Sequence, residues 1–293
     1  MIGRRGFIKI GGAIAAGVLN GVCHASPDAN GAENQAPPPP GFLTITYNVL
    51  ACQGWPQRKS NRTRIEAARA HMPERLGLEL ALYKPDLVSL AEAPEEEAVA
   101  RIARVLDMAY VYYPGGFPGA LLTRHRIVES ANYSFQSVEL AVNELFSRHC
   151  GRALLETPIG EIAVYNAHLN PHRHEIRMRE IAAILTTMED DLDADRSILM
   201  QGDLNHKPDQ PEYKQWIGAG MLDAFAAKGT GPDGTVTSTT PRARIDYVWL
   251  HGPIAGRLTE CRTLFEGAFR TNPDDPASFA LSDHLPVVAN FAR

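Results

Sequence analysis

The strongest constraint on this chain is a recurring punctuation, in which short apolar, strand-like runs each close on a residue that carries charge or a strong dipole. Ile45-Thr46-Tyr47 closes on Asn48, Leu90-Ala91 on Glu92, Tyr165-Asn166-Ala167 on His168, and Leu199-Met200-Gln201-Gly202 on Asp203, with Asn205 two residues further on. Asp246 lies within Arg244-Ile245-Asp246-Tyr247-Val248, and Leu281-Ser282-Asp283-His284-Leu285-Pro286-Val287 sets another polar cluster beside an apolar run. The ends of sheet strands are where an enzyme converges groups that are distant in sequence. One such residue proves little, because a strand-end Asp is commonly a turn former or a helix cap.

Between the runs lie helical stretches. Phe42 to Tyr47 alternates as a strand and Asp86 to Leu90 is a short buried one. Arg62 to Leu82 reads as helical, with Pro73 starting a second segment or kinking the first. Glu95, Glu96 and Glu97 after Pro94 mark a helix start, where carboxylates face the helix dipole. Arg152 to Glu156 and Glu161 to Tyr165 form an expected hairpin through Thr157-Pro158-Ile159-Gly160, and Ile176, Ile181, Ile184, Leu185 and Met188 repeat at helical spacing within 173–190. Ser197 to Gln201, Arg244 to Leu250 and His284 to Phe291 are the expected late strands. A chain of 293 residues with this alternation fits one large α/β or two-sheet enzyme.

The first residues belong to targeting, not to the fold. Arg4-Arg5-Gly6-Phe7-Ile8-Lys9 followed by the uncharged stretch Ile10 to Val22 is a twin-arginine export pattern. That stretch is too short and Gly-rich for a membrane span, which needs ~20 predominantly apolar residues, and Cys23 and Ala25 suit the positions before a cut after Ala25. Residues 1–25 are therefore expected to be a cleaved signal, 26–41 a stiff linker around Pro37 to Pro40, and 42–293 the folded domain. The expected location is periplasmic or extracellular, without lasting membrane insertion.

Losing the signal removes Arg4, Arg5 and Lys9 and no acid, so 29 basic and 34 acidic residues become 26 and 34, a net charge of −8. Such a balance argues against gripping long nucleic acid through many phosphate contacts. Cys52, Cys150 and Cys261 remain, enough for one intrachain disulfide at most, and no C-x-x-C spacing marks a structural zinc site.

Taken together and in order, Tyr47-Asn48, the run Asp86 to Glu92, Asn166-Ala167-His168-Leu169, Gly202-Asp203-Leu204-Asn205, Arg244-Ile245-Asp246-Tyr247 and Ser282-Asp283-His284-Leu285-Pro286-Val287 closely resemble the endonuclease/exonuclease/phosphatase family. The resemblance implies an α/β four-layer sandwich, two mixed β-sheets packed face to face with helices on the outer faces. It also implies a divalent-metal hydrolase of phosphoester bonds, acting as a monomer on a phosphoester substrate. Carried over by position, Glu92 resembles the principal Mg²⁺ ligand, with Asn48 close by and Asp283 helping to hold the metal. Mn²⁺ or Ca²⁺ are alternatives, and Zn²⁺ fits an oxygen-rich site less well. Asp203 resembles the residue that orients or deprotonates the attacking water, Asn205 its neighbour on the phosphoryl group, Asp246 and His284 an Asp–His pair, and His168 a donor to a phosphate oxygen. Ala91 departs from the family pattern, which usually has Gln before the metal Glu.

Rival readings are weaker. Ser282-Asp283-His284 has the letters of a hydrolase triad, but strand neighbours point to opposite faces and no G-x-S-x-G elbow exists. His172, His174 and Glu175 near His168 suggest zinc, but they open a helix in a polar segment where exposed histidines are common. Arg124 after Leu121-Leu122-Thr123 is a candidate for phosphate contact or a structural salt bridge, and Trp55 and Trp216 for core or ligand contact. A catalytically silent binding module on the same scaffold is the alternative of a different class. A nuclease or sphingomyelinase-type specialisation is an alternative within the hydrolase reading.

Overall fold

The computed structural model describes residues 41–134 and 145–293, so the expected signal, and the linker apart from Gly41, lie outside the described residues. The strands among the described residues are β1 (Phe42–Asn48), β2 (Leu87–Ala91), β3 (Ala109–Tyr113), β4 (Gly119–Thr123), β5 (Arg126–Asn132), β6 (His149–Thr157) and β7 (Gly160–His168). They continue as β8 (Ser197–Asp203), β9 (Leu222–Asp223), β10 (Gly229–Thr230), β11 (Asp246–His251), β12 (Leu258–Thr263) and β13 (Val287–Phe291). One mixed sheet has the order β10-β12-β13-β1-β2-β4-β3, and a second has β5-β6-β7-β8-β11-β9.

Alternation along the strands dictates how the sheets meet. Ile162 and Val164 of β7, Leu199 of β8 and Val248 and Leu250 of β11 share one buried cluster with Phe42, Leu87, Leu121, Val287 and Ala289 of the other sheet. The intervening residues face outward. Helices α1 (Lys59–Ala68), α2 (Met72–Ala81) and α3 (Glu96–Leu106) precede or follow β2, and Leu76, Leu80, Val99 and Ile102 of α2 and α3 pack on Ile45, Val88 and Leu122. On the other side α4 (His174–Thr187) is followed by α5 (Glu189–Asp193), α6 (Pro211–Gly218) and α7 (Ala224–Lys228); Ile181, Ile184 and Trp216 pack on Tyr165, Met200 and Trp249. The result is helix, sheet, sheet, helix.

Local differences from the sequence reading have simple causes. The helical stretch expected over 62–82 divides at a short 3₁₀ turn, Arg69–His71, and Pro73 sits in the first turn of α2, where its missing N–H costs nothing. The strand expected from His284 starts only at Val287, because Pro286 has no N–H to offer the ladder. His284 instead makes an isolated bridge to Val236. Cys52, Cys150 and Cys261 are buried free thiols, and among the described residues no helix is long and apolar enough to cross a membrane.

Toward one end of the sandwich the shared core turns polar. Gln201, two residues beyond Leu199 on the same face of β8, accepts from Thr44 Oγ1 at 2.9 Å and donates to Ser89 Oγ at 2.5 Å. Asn166, two beyond Val164, donates to the carbonyls of Leu90 (3.2 Å) and Ala120 (3.0 Å). These bonds run from sheet to sheet and are completely buried. Gln201→Leu would leave the Thr44 and Ser89 hydroxyls unpaired, at a cost of about 1–3 kcal/mol for each group. A loss of more than about 1 kcal/mol in urea-induced unfolding is expected on that basis, and an unchanged midpoint would show that the sheets are held by apolar contact alone.

Candidate active site

Two residues further along the same inward face comes a row of ionisable groups. The register pairs His149 with His168, His168 with Asp203, and Asp203 with Asp246, so β6, β7, β8 and β11 present these four side by side. From the opposite sheet, Asn48 ends β1 opposite Ala91, which places Glu92 one residue past the end of β2. β13 runs antiparallel to β1, so His284, just before it, arrives at the same edge.

The groups are tied to one another. Asn48 Nδ2 donates to Glu92 Oε1 at 3.2 Å and to Asp203 Oδ2 at 3.0 Å, while its Oδ1 accepts from the Leu50 amide at 3.1 Å. Asp203 Oδ1 accepts from the Asn205 amide at 3.2 Å, and Asn205 Nδ2 holds the Leu169 carbonyl at 3.0 Å. His284 Nδ1 lies 2.9 Å from Asp246 Oδ2, with Nε2 directed toward Asp203 Oδ2 at 3.7 Å. His168 Nε2 is 3.4 Å from the same Asp203 oxygen. Glu92 and Asn205 both have positive φ, 47° and 52°; such conformations cost ~1–3 kcal/mol where strained and concentrate at functional sites. Gly202 (φ 144°) is required as glycine, since a Cβ there would collide with the Ala167 carbonyl.

The electrostatics separate the two histidines. Burial alone would push His284 down, but the Asp246 and Asp203 carboxylates and the Asp246 hydrogen bond outweigh it and raise it to about 10, so it is a cation at neutral pH. His168 is pushed well below its ordinary value by burial and then by Arg148, His149 and His284, so it is neutral. Burial, with the neighbouring Asp246 charge, raises Asp203 to about 7.

Sequence reasoning missed Arg148. Its Nη1 lies 3.2 Å from His168 Nε2 and 3.5 Å from Glu92 Oε1, and its guanidinium stacks 4.0 Å from the Phe117 ring centre. The one available signal was its place directly before a strand. Glu180 of α4, buried, fixes the backbone on both sides of this pair: its carboxylate accepts from the Phe146 and Asn170 amides, each at 2.9 Å. Arg124, by contrast, is far from Glu92. β4 runs antiparallel to β2 and Thr123 pairs with Leu87, so Arg124 leaves at the opposite end of the sheet.

The remaining expected residues make other contacts. Asp283 Oδ1 accepts from Ser282 Oγ at 3.3 Å, and among the described residues no hydrogen bond joins it to Glu92 or Asn48. His174 is exposed and pairs with Glu212 at 2.9 Å, and His172 is exposed. Ser282 Oγ accepts from the His284 backbone amide, and the His284 ring belongs to Asp246.

The sequence model of the Endonuclease/Exonuclease/phosphatase family matches residues 45–284, from the strand that carries Asn48 to His284 itself. The chain belongs to that family. Its members are phosphoester hydrolases. Among solved structures, a Bacteroides thetaiotaomicron family protein superposes with a TM-score of 0.66 at 14% identity, covering 85% of this chain and 97% of its own. A zebrafish (D. rerio) TDP2, humanized by 14 mutations, gives 0.64 at 17% identity over 86% and 99%, and a Bacteroides thetaiotaomicron mannosyl-6-phosphatase gives 0.63 at 15% over 85% and 98%. No curated protein matches the chain.

A divalent ion of the kind associated with this family has two donor sets to choose from. Asp203, Asp246 and His284 bring ligand atoms within 4.8 Å of one another, but an imidazole held protonated at neutral pH competes poorly for a cation. Asn48 is buried with its Oδ1 on the Leu50 amide, so the oxygen donors at the accessible rim are those of Glu92, whose side chain is 18% exposed. That chemistry fits a hard divalent ion.

The His284 pairing is open to direct titration. Its folded value lies above the unfolded 6.5, so the stability it contributes is complete below about 6.5 and is lost as pH rises through about 10. An NMR titration of the imidazole should give a raised value that falls in Asp246→Asn. An imidazole that titrates identically in the variant would sink the pairing.

Proposed function

We propose that this chain hydrolyses phosphoester bonds, with a water attacking phosphorus in line with the departing ester oxygen. The observation that carries the reading is the Asn48 amide bridging Glu92 and Asp203, which brings the ends of both sheets onto one reacting centre. A divalent cation, Mg²⁺ or alternatively Mn²⁺ or Ca²⁺, would be held by Glu92 with Asn48 and Asp283 beside it and would neutralise phosphoryl charge.

Asp203 accepts a proton from the water as the new O–P bond forms, and a carboxylate raised to about 7 is well matched to that task near neutral pH. His284, kept cationic by Asp246, donates from Nε2 to a phosphoryl oxygen. The Arg148 fork and the Asn205 amide bind other oxygens of the same group, where charge accumulates as the ester P–O bond breaks. The departing oxygen takes its proton from solvent. Neutral His168 accepts from Arg148 at Nε2 and so orients the guanidinium.

A silent binding module is disfavoured by cost. Burying Asp203, Asp246 and His284 together is expensive, and a module that only binds has no use for a carboxylate raised to about 7 beside Glu92. The Arg4-Arg5 segment supports export through the twin-arginine route. The substrate is a phosphoester of unassigned type: nucleic acid, a phospholipid headgroup and a soluble sugar phosphate are the candidates.

The deciding experiment incubates purified protein with plasmid DNA, RNA, sphingomyelin, mannose 6-phosphate and bis(p-nitrophenyl) phosphate, with Mg²⁺ and with EDTA. Cleavage of at least one substrate that stops in EDTA is expected, and no cleavage with any divalent metal refutes the reading. Asp203→Asn should cost about 10²- to 10⁴-fold in kcat, the usual contribution of a general base, with an unchanged circular dichroism spectrum. Arg148→Met should cost about 10²-fold or more, as for loss of a preorganised donor. Arg148→Lys should restore little of it, because an ammonium cannot reproduce the fork; full rescue by Lys would mean that only the charge matters.

A further inference from the structure

Beside the catalytic loop runs a groove of about 390 Å³ that the hydrolytic machinery does not use, with Trp55, Arg58, Thr237, Thr239, Thr240 and Arg242 along it. Its two walls are joined by backbone to the same short run of chain, Ala280 to His284. On one side Trp55 and Ala280 exchange hydrogen bonds of 2.9 and 2.6 Å. On the other, Val236 bridges His284, and the Ser238 amide donates to the Asp283 carbonyl at 2.7 Å. The groove therefore lies directly alongside the residues assigned to the scissile phosphate.

Its lining is cationic. Acids outnumber bases in the chain, and several arginines are held by carboxylates, as Arg64 is by Asp275, Arg101 by Glu74, and Arg126 by Glu156. Arg244, two residues past the groove, is buried against Asp223 and Asp233. Arg58 and Arg242 are exposed, no acid lines the groove, and neither guanidinium has a carboxylate within ion-pair distance among the described residues. Trp55 is half-buried and adds an aromatic side chain to the lining, with its backbone bonded to Ala280 of the catalytic run.

Resting on the hydrolase reading above, we propose that this groove is a substrate subsite for a second phosphate, borne on a ring that packs against Trp55. Arginine forks match phosphate oxygens, threonine hydroxyls add neutral donors, and an indole face accepts either a base or the apolar face of a sugar. The preferred substrates are then bisphosphorylated, either nucleotides or sugars, with the second phosphate displaced to the Trp55 side of the scissile one.

The test compares ligands with and without that second phosphate. By calorimetry in EDTA, thymidine 3′,5′-bisphosphate should bind wild-type protein about tenfold more tightly than thymidine 5′-monophosphate, a factor expected of one charge-assisted hydrogen bond. The double variant Arg58→Ala/Arg242→Ala should erase the difference. Fructose 1,6-bisphosphate against fructose 6-phosphate forms a second arm. A preference confined to one arm identifies the ring as base or sugar, and a preference in both identifies a general bisphosphate site. Hydrolysis of bis(p-nitrophenyl) phosphate, which has one phosphate, should be unchanged in the double variant.

No preference in either arm, or a preference that survives the double variant, overturns the subsite. So does a matching loss of bis(p-nitrophenyl) phosphate hydrolysis, which would place the arginines at the scissile group. Intact binding preference without any hydrolysis by wild-type protein would instead remove the hydrolase reading and leave the subsite standing.

Discussion

The structure depends on two buried amides, Gln201 and Asn166, that tie one sheet to the other just inside the active-site end. Apolar contact alone tolerates small slides between layers, whereas a buried amide is satisfied only when its partners stand opposite it. The inner face therefore grades along each strand, from Leu199 through Gln201 to Asp203 in β8 and from Val164 through Asn166 to His168 in β7. Core, clamp and chemistry follow one another at the strand's own period of two. The Asn48 bond to Asp203, which joins side chains from different sheets, needs that spacing held to within tenths of an ångström.

Charge is distributed so that the site neither collapses nor neutralises itself. Asp246 is committed to His284, and the pair behaves as a fixed dipole with its positive end, Nε2, toward Asp203. Asp203 keeps an affinity for a proton because burial and the neighbouring Asp246 charge outweigh the hydrogen bonds it accepts from Asn48 and the Asn205 amide. His168 stays neutral because burial penalises its charged form and Arg148 stands beside it. Each assignment comes from burial and from the charges standing nearby, since residue type alone would allow several others.

Much of this was legible in the sequence, because a polar residue closing an apolar run is a local signal. Asn48, Glu92, His168, Asp203 and Asp246 each lie at or next to a strand terminus, and the register brings them together. Direction was not legible. Leu121-Leu122-Thr123-Arg124 has the same local form as the site-bearing runs, yet its strand is antiparallel to β2 and delivers Arg124 to the wrong end. Arg148 was hidden for a different reason: its backbone is fixed through Phe146 by Glu180, 34 residues further on, and no window around Arg148 contains that carboxylate. The groove arginines were equally silent, because what distinguishes Arg242 from Arg244 is the absence of an acid in space.

The acidic balance of the chain and the cationic character of its site act at different ranges. A net charge of −5 repels a long polyanion over about a Debye length, ~10 Å at 0.1 M salt. On the readings proposed above, a substrate inside that distance meets Arg148 and His284, whose largely buried charges are screened far less, at the scissile group, and the exposed Arg58 and Arg242 beside it. A small, densely charged phosphoester gains all of the local attraction and suffers little of the long-range repulsion. A duplex gains the same few contacts while the rest of its phosphates meet a chain of net negative charge. On the hydrolase reading, this favours compact substrates over extended ones before any contact with a base or a headgroup is considered.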